Sequence, residues 1–310
     1  MTTALFTHPL CLTHDMGAYH PECPDRLRVV LRALEHPNFV ELLREAAPEA
    51  SVEQLARAHP IGYVNAMLAI RPPEGETVQI DGDTAVGSGT VDAALRAAGG
   101  AVACVDAVME GWARGAFAAV RPPGHHAEPS RPMGFCFFNN AAVAAQHARA
   151  RWGLARVAVV DFDVHHGNGT QAMFAADPGL FYASSHQSPC YPGTGLPSER
   201  GVAGNIVNVP LDPGAGSRDF RAAWSDVILP ALDGFAPDLL IVSAGFDAHK
   251  ADPLAQLRLE TADYSWVTAQ LCLIARQHCR RRIVSVLEGG YDLDALAAAS
   301  AAHVRALMAL

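Results

Sequence analysis

The sequence predicts an α/β fold: a single domain, 1–310, built on a mainly parallel central sheet. Three observations carry this reading. Short apolar runs recur at 5–7, 117–120, 157–160, 180–183, 206–209, 239–242 and 283–287. Helix-like stretches separate them, and that alternation is how crossover-connected parallel strands come to be covered by helices. The 310 residues, half of them hydrophobic and only 18% charged, suffice for one large core, and no low-complexity linker divides them.

The remaining elements each have a local signal. At 24–34, Leu27, Val30, Leu31 and Leu34 share one helical face. Ser51-Val52-Glu53-Gln54 reads as a capping box opening a short helix toward His59. The Ala-rich segment 89–110 is apolar on several sides, as suits a helix packed in the interior, and its Gly99-Gly100 pair permits close approach of a neighbour. Further helices are expected at 221–235, 261–279 and 292–308. Long loops remain at 121–140, 184–204 and 244–260, and loops of that length inside compact domains are commonly functional.

Composition narrows the function. The balance of 23 basic against 32 acidic residues gives a net charge of −9, Lys250 is the only lysine, and the basic residues read as unclustered, so nucleic acid is a poor partner. Seven cysteines form no Cys-x-x-Cys pair, which argues against a disulfide framework or a thiolate zinc site and for reduced thiols in the core. No signal-peptide pattern opens the sequence and no run approaches the ~18 apolar residues of a membrane span. A cytoplasmic protein without membrane contact is expected, and oligomeric state is left open.

The chemistry concentrates where apolar runs end. The run 157–160 leads into Asp161-Phe162-Asp163-Val164-His165-His166-Gly167-Asn168, and ligands of open α/β sheets bind beyond the carboxyl ends of such strands. Residues two apart in extended backbone point the same way, so Asp163 and His165 can offer one oxygen and one nitrogen to a single cation. The run 239–242 leads to Asp247, and 117–120 to His125-His126. Asp247 completes an Asp/His/Asp set with a fourth position open for water, the arrangement of a catalytic zinc, and the histidine pair supplies proton transfer.

Seven markers in order then resemble the zinc-dependent histone deacetylase superfamily, which includes bacterial deacetylase-like amidohydrolases and acetylpolyamine amidohydrolases. They are His20-Pro21-Glu22 with Asp25-Arg26, Arg121-Pro122-Pro123-Gly124-His125-His126, the segment from Gly134 to Asn140, the Asp161 to Thr170 stretch, Tyr191-Pro192-Gly193-Thr194-Gly195, Ser243-Ala244-Gly245-Phe246-Asp247 and Glu288-Gly289-Gly290-Tyr291. The resemblance implies an arginase/deacetylase-like domain with an eight-stranded, mostly parallel sheet and helices on both faces. It implies one Zn2+ held by Asp163, His165 and Asp247, and tandem histidines His125 and His126 oriented by Asp161 and Asn168. It also implies an oxyanion-facing Tyr291, with Gly134, Phe135 and Tyr191 walling a narrow channel. Monovalent cation (K+) sites are implied at Asp161, Asp163, His165, Ser184 and Ser185, and at Phe174, Asp177, Leu180 and Asn205.

The implied reaction is hydrolysis of the amide of an acylated amine, such as acetyl-lysine or a small N-acyl amine. Asn168 in place of a carboxylate resembles the class II branch, and an amide supports the His126 cation less. Leu254 stands where a polyamine-selective relative carries an acidic residue and cannot pair with a distant ammonium, which weighs against an acetylpolyamine substrate. Cys23 departs from the basic residue common in the His-Pro-Glu segment. Cys136 and Cys190 read as buried inert thiols, His166, His186 and His249 as outer or surface histidines, and Glu288 and Asp252 as structural acids. A two-manganese ureohydrolase is disfavoured by the single carboxylate of Phe246-Asp247-Ala248-His249, and a non-catalytic acyl-ligand sensor by the presence of every chemical part. A serine hydrolase lacks its Gly-x-Ser-x-Gly turn.

Overall fold

The computed structural model describes residues 2–310. Eight strands form one sheet in the order β2 (Leu43–Ala46), β1 (Thr3–Thr7), β5 (Gly115–Ala118), β10 (Ile283–Leu287), β9 (Leu239–Ala244), β6 (Val157–Asp161), β7 (Leu180–Gln187) and β8 (Ile206–Leu211). Every pairing in it is parallel. Parallel strands covered on both faces need apolar residues at successive positions, and β6, β9 and β10 are buried along their whole length. All seven apolar runs became strands. The eighth, β2, is exposed along its length with the sequence Leu-Arg-Glu-Ala, so pairing with the edge of β1, not any apolar pattern, makes it a strand. An antiparallel hairpin of β3 (Thr77–Asp81) and β4 (Thr84–Gly87) also went unread, although Asp81-Gly82 between the alternating Val78, Ile80 and Val86 is a hairpin-turn signal.

Helices form the outer layers. The long α4 (Thr90–Glu110) lies against β1, β5 and β10, and α5 (Asn140–Trp152) against β6 and β9. Of three others, α1 (Pro24–Ala33) and α9 (Thr261–Gln277) each pack on α10 (Leu293–Met308), which lies against β5. A Cβ on Gly99 of α4 would fall 2.0 Å from the Pro48 carbonyl, so the close approach expected of this glycine is real. The short α2 (Val52–Leu55) begins with the reciprocal Ser51 and Gln54 capping bonds. Three helices went unread: α3 (Ile61–Leu68), α5, whose first turn is capped by Asn139, and α6 (Asn168–Phe174). No helix among the described residues is long and apolar enough to cross a membrane.

Three expectations need correction. The helix expected at 221–235 begins at α7 (Ser217–Ala223), passes through a π turn at Trp224–Ile228 and ends as α8 (Leu229–Phe235). Pro230 has no N–H for the bond four residues back and its ring crowds that carbonyl, and the wider turn accommodates both. His166 and His186 are buried, not superficial, because the loop 188–204 folds over them. Basic residues do cluster: Arg280-Arg281-Arg282 joins Arg114 and Arg276 around one cleft at the amino ends of β5 and β10.

Burial keeps four histidines neutral. His303 sits between Thr268 Oγ1 at 2.6 Å and Ser285 Oγ at 2.8 Å, and loss of hydration lowers its pKa to about 3. Burial likewise lowers His59 and His166 to about 4 and His186 to about 3. The unfolded chain therefore binds protons near pH 6.5 that the folded chain refuses, so this stability is complete above 6.5 and is lost as pH falls toward these folded values. Each group loses about 1 kcal/mol over the first pH unit below 6.5. Urea unfolding at the two ends of that unit should show His303→Gln with a pH-dependent loss smaller than the parent's by about 1 kcal/mol.

Candidate active site

The carboxyl ends of β5, β10, β9 and β6, the four middle strands of the sheet, meet at one pole. From β6 come Asp163 and His165, and from β9 comes Asp247; one ligand atom from each lies within 4.8 Å of the others, and all three residues are buried. The backbone sets their directions. Asp163 accepts from the amides of His165 at 2.9 Å and Gly289 at 2.9 Å, and Asp247 Oδ1 accepts from the Val164 amide at 2.8 Å. Asp247 Oδ2 lies 3.2 Å from His165 Nδ1 but out of line for a hydrogen bond, and is a buried carboxylate oxygen without a donor.

The two aspartates respond oppositely to burial. Burial and the charge of Asp163 push Asp247 up to about 7. Burial also opposes ionisation of Asp163, but His125 and His165 outweigh it and hold this carboxyl well below the usual range. The packing leaves no room beneath the pair. A Cβ on Gly289 would stand 2.1 Å from Asp247 Oδ2, and one on Gly245 2.0 Å from Asp163 Oδ2.

The tandem histidines descend from β5. His125 Nδ1 is 2.9 Å from Asp161 Oδ2, and the amides of Gly124 and His125 both donate to Glu288 Oε2, at 2.7 and 3.1 Å. His126 Nδ1 is 2.9 Å from Asn168 Oδ1, whose amide nitrogen donates in turn to Glu128 Oε1 at 2.9 Å. Since the Asn168 oxygen can only accept, His126 carries its proton on Nδ1 and leaves Nε2 free. Although burial disfavours its cation, His125 is raised to about 10 by Asp163 and Asp161. His126 is driven well below its ordinary value by burial and by the neighbouring His125 and His165.

Tyr291 closes the site from β10. Its amide donates to Asp252 Oδ2 at 2.7 Å, and the Arg26 guanidinium lies 4.9 Å from its ring centre. Arg26 also donates to the carbonyls of Glu288 and Gly290, and Glu22 pairs with both Arg26 and Arg121, so one buried acid ties the β5 and β10 loops together. Burial pushes the Tyr291 hydroxyl well up, which keeps it a donor. Above the triad a channel of about 200 Å3 runs between Phe135 and Tyr191, floored by His126, His165 and Tyr291 and rimmed by Leu254. Gly134 and Phe135 both adopt left-handed backbone, with φ of 57° and 69°, and a Cβ on Gly134 would meet His126 at 2.5 Å.

Residues 20–307 match the histone deacetylase domain. The chain belongs to the histone deacetylase family. It is 39% identical to histone deacetylase 14, chloroplastic, of Arabidopsis thaliana over 308 residues, covering 93% of this chain and 73% of that protein. It is 38% identical to the histone deacetylase-like amidohydrolase of Pseudomonas aeruginosa over 313 residues, covering 94% and 82%. The crystal structure of the HDA15 HD domain superposes with a TM-score of 0.92 at 36% identity, covering 99% of this chain and 88% of that one.

The residues expected to hold monovalent cations in this family member divide. Asp161 and Ser184 are register partners on β6 and β7, beside Asp163, His165 and Ser185, whose hydroxyl accepts from Trp224 Nε1 at 3.0 Å. At the second place the carbonyls of Phe174, Asp177 and Leu180 all receive the Asn205 side-chain amide, at 3.0, 3.1 and 2.8 Å. The four residues expected there therefore do meet at one point, around a nitrogen with only two hydrogens for three carbonyls.

Sequence reading missed Asp83 and Glu128. Asp83, at the tip of the β3/β4 hairpin, lines the channel mouth and accepts from the Gly134 amide at 3.3 Å. Both are ordinary acids in loops, and only the fold brings them to the channel and to Asn168. Cys190 is half-exposed, contrary to expectation, whereas Cys136 is buried with its thiol donating to the Gly134 carbonyl. Glu288 and Asp252 serve as acceptors for loop amides, and burial pushes Glu288 up to about 7. Thermal unfolding should separate two glycines of this chain. Gly289→Ala forces a Cβ into the carboxylate pair and should destabilise by about 1–3 kcal/mol, while Gly234→Ala, with open space around it in α8, should be neutral or stabilising.

Proposed function

We propose that this protein is a zinc-dependent amidohydrolase that removes the acyl group from an acylated amine, such as an acyl-lysine or a small N-acyl amine. The observation that carries the reading is the buried, donorless Asp247 Oδ2 converging with Asp163 and His165 at the floor of an aromatic channel. Two carboxylates and an imidazole suit a divalent cation, and a catalytic zinc keeps three protein ligands with one position open. When bound, zinc supplies Lewis acidity toward water and the acyl carbonyl.

The chain's own residues supply the rest. His126 Nε2, free and unprotonated, takes a proton from the attacking water and returns one to the departing amine. The Asn168 and Glu128 bonds hold that ring in the one tautomer able to do so. His125, paired with Asp161, lies beside it with ring centres 4.0 Å apart and fixes the other side of the reacting space. The Tyr291 hydroxyl donates to the carbonyl oxygen as it becomes anionic.

Phe135 and Tyr191 exclude water and favour an extended aliphatic chain, while Asp83 at the mouth suits an N–H or a cationic group of the substrate. The apolar Leu254 at the rim supports an acyl-lysine or small amide over a polyamine. Seven unpaired cysteines support a reducing compartment, and we place the protein in the cytoplasm.

Amine release by the zinc-loaded protein should be measured across acetyl-lysine peptides, longer acyl-lysines, acetylated polyamines and small amides. Tyr291→Phe should lose about 10²–10³ in kcat with its fold intact, and chelation should abolish turnover until zinc is restored. Asp83→Asn should raise KM more than it lowers kcat. Absence of turnover throughout, with retained tight hydroxamate binding, would count against hydrolysis and for a sensor.

A further inference from the structure

Five arginines surround a cleft at the pole of the sheet opposite the active site. Arg114 precedes β5, Arg282 precedes β10, Arg276 lies in the last turn of α9, and Arg280 and Arg281 form the turn that follows it. The cleft they line holds about 570 Å3. The Ile283 amide donates to the Arg114 carbonyl at 3.2 Å and the Arg282 amide to Cys279 at 2.9 Å, so the sheet itself holds the two arginine segments side by side.

The ion pairs that other surface arginines make are missing here among the described residues. Arg28, Arg71 and Arg218 elsewhere on the surface sit 2.6–3.0 Å from an aspartate. None of the five pairs with a side-chain carboxylate among the described residues; Arg276 donates to the carbonyls of Ala309 and Leu310, and Arg282 to Met109. Five arginines lining one cleft in a chain of net charge −9 are a local concentration against the overall sign.

The backbone points the same way. Arg280 and Arg281 are consecutive left-handed residues, with φ of 52° and 64°. Glycine would form this turn with less strain, so what arginine contributes there is its side chain. A second cleft of about 350 Å3 shares Arg280 and Arg282 and adds Met109, Trp152 and Leu154, an apolar and aromatic surface beside the charge. Its one acid, Asp238, accepts from the Arg156 amide at 2.9 Å and repels an anion from that side.

We propose that this pole binds a small molecule carrying a chain of two or more phosphates. The phosphates lie among Arg114, Arg280, Arg281 and Arg282, and any attached ring system lies against Trp152 and Leu154. Guanidinium forks match phosphate oxygens two at a time, and a concave cleft of this volume is of small-ligand size. The site lies at the amino ends of the strands whose carboxyl ends carry the catalytic groups, so its occupant touches no catalytic residue.

Calorimetric titration of the whole protein with orthophosphate, pyrophosphate, tripolyphosphate, ADP, ATP and a single-stranded RNA oligomer tests this. Pyrophosphate or a longer chain should bind at least about tenfold more tightly than orthophosphate. Arg280→Gly/Arg281→Gly, which suits the turn, and Arg114→Gln, which leaves the turn untouched, should each weaken binding by about tenfold or more, while Arg218→Gln should not. ADP binding above pyrophosphate assigns the second cleft to a nucleoside, and equal binding assigns the site to the inorganic chain. No binding at millimolar concentration, binding indifferent to both arginine variants, or RNA bound more tightly than every small phosphate would overturn the proposal.

Discussion

Asp163 and Asp247 are buried side by side, and the active-site pole is organised around the electrostatic strain between them. Two carboxylates removed from water repel each other and lose hydration together, which is why Asp247 is driven up to about 7 while Asp163 is held low by the histidines on its other side. Backbone amides of Val164, His165 and Gly289 satisfy three of their four oxygen directions. The fourth, Asp247 Oδ2, has no donor. Glycines at 245 and 289 are the steric condition for this crowding, since a single added carbon would occupy the space the carboxylates need.

A second layer keeps the groups around that pair from relaxing. Glu22, Arg26 and Arg121 form a buried ionic knot whose members also hold loop carbonyls, so the loops after β5 and β10 are fixed to each other and to the N-terminal segment. Buried ion pairs contribute little net stability once desolvation is counted, and their value here is positional. The Glu128–Asn168–His126 chain works similarly at the level of a single proton, because an accepting amide oxygen admits only one imidazole tautomer.

Parallel topology gives the sheet two chemically different ends. Loops at the carboxyl ends are long, and they build the channel and its floor. At the amino ends, short connections bring Arg114 and Arg282 together simply because β5 and β10 are neighbours in register. Charge of one sign thus gathers at the amino-end cleft, whereas the active-site pole pairs its acids with Arg26, Arg121 and His125.

The sequence by itself determined the α/β class, the seven buried strands and the chemical parts of the site. Buried parallel strands must be continuously apolar, and the ligand pattern Asp163-x-His165 is local along one strand end. The Ser51 capping box was legible for the same reason: its bonds span three residues. Tertiary structure alone decided what depends on distant neighbours. The strand β2 exists because β1 offers it an edge, and Asp83 reaches the channel because a hairpin carries it there. Asn205 meets the carbonyls of Phe174, Asp177 and Leu180 because the fold brings separate loop positions to one point. Arg114 and the run 280–282, some 170 positions apart, share a cleft because the sheet places their strands together.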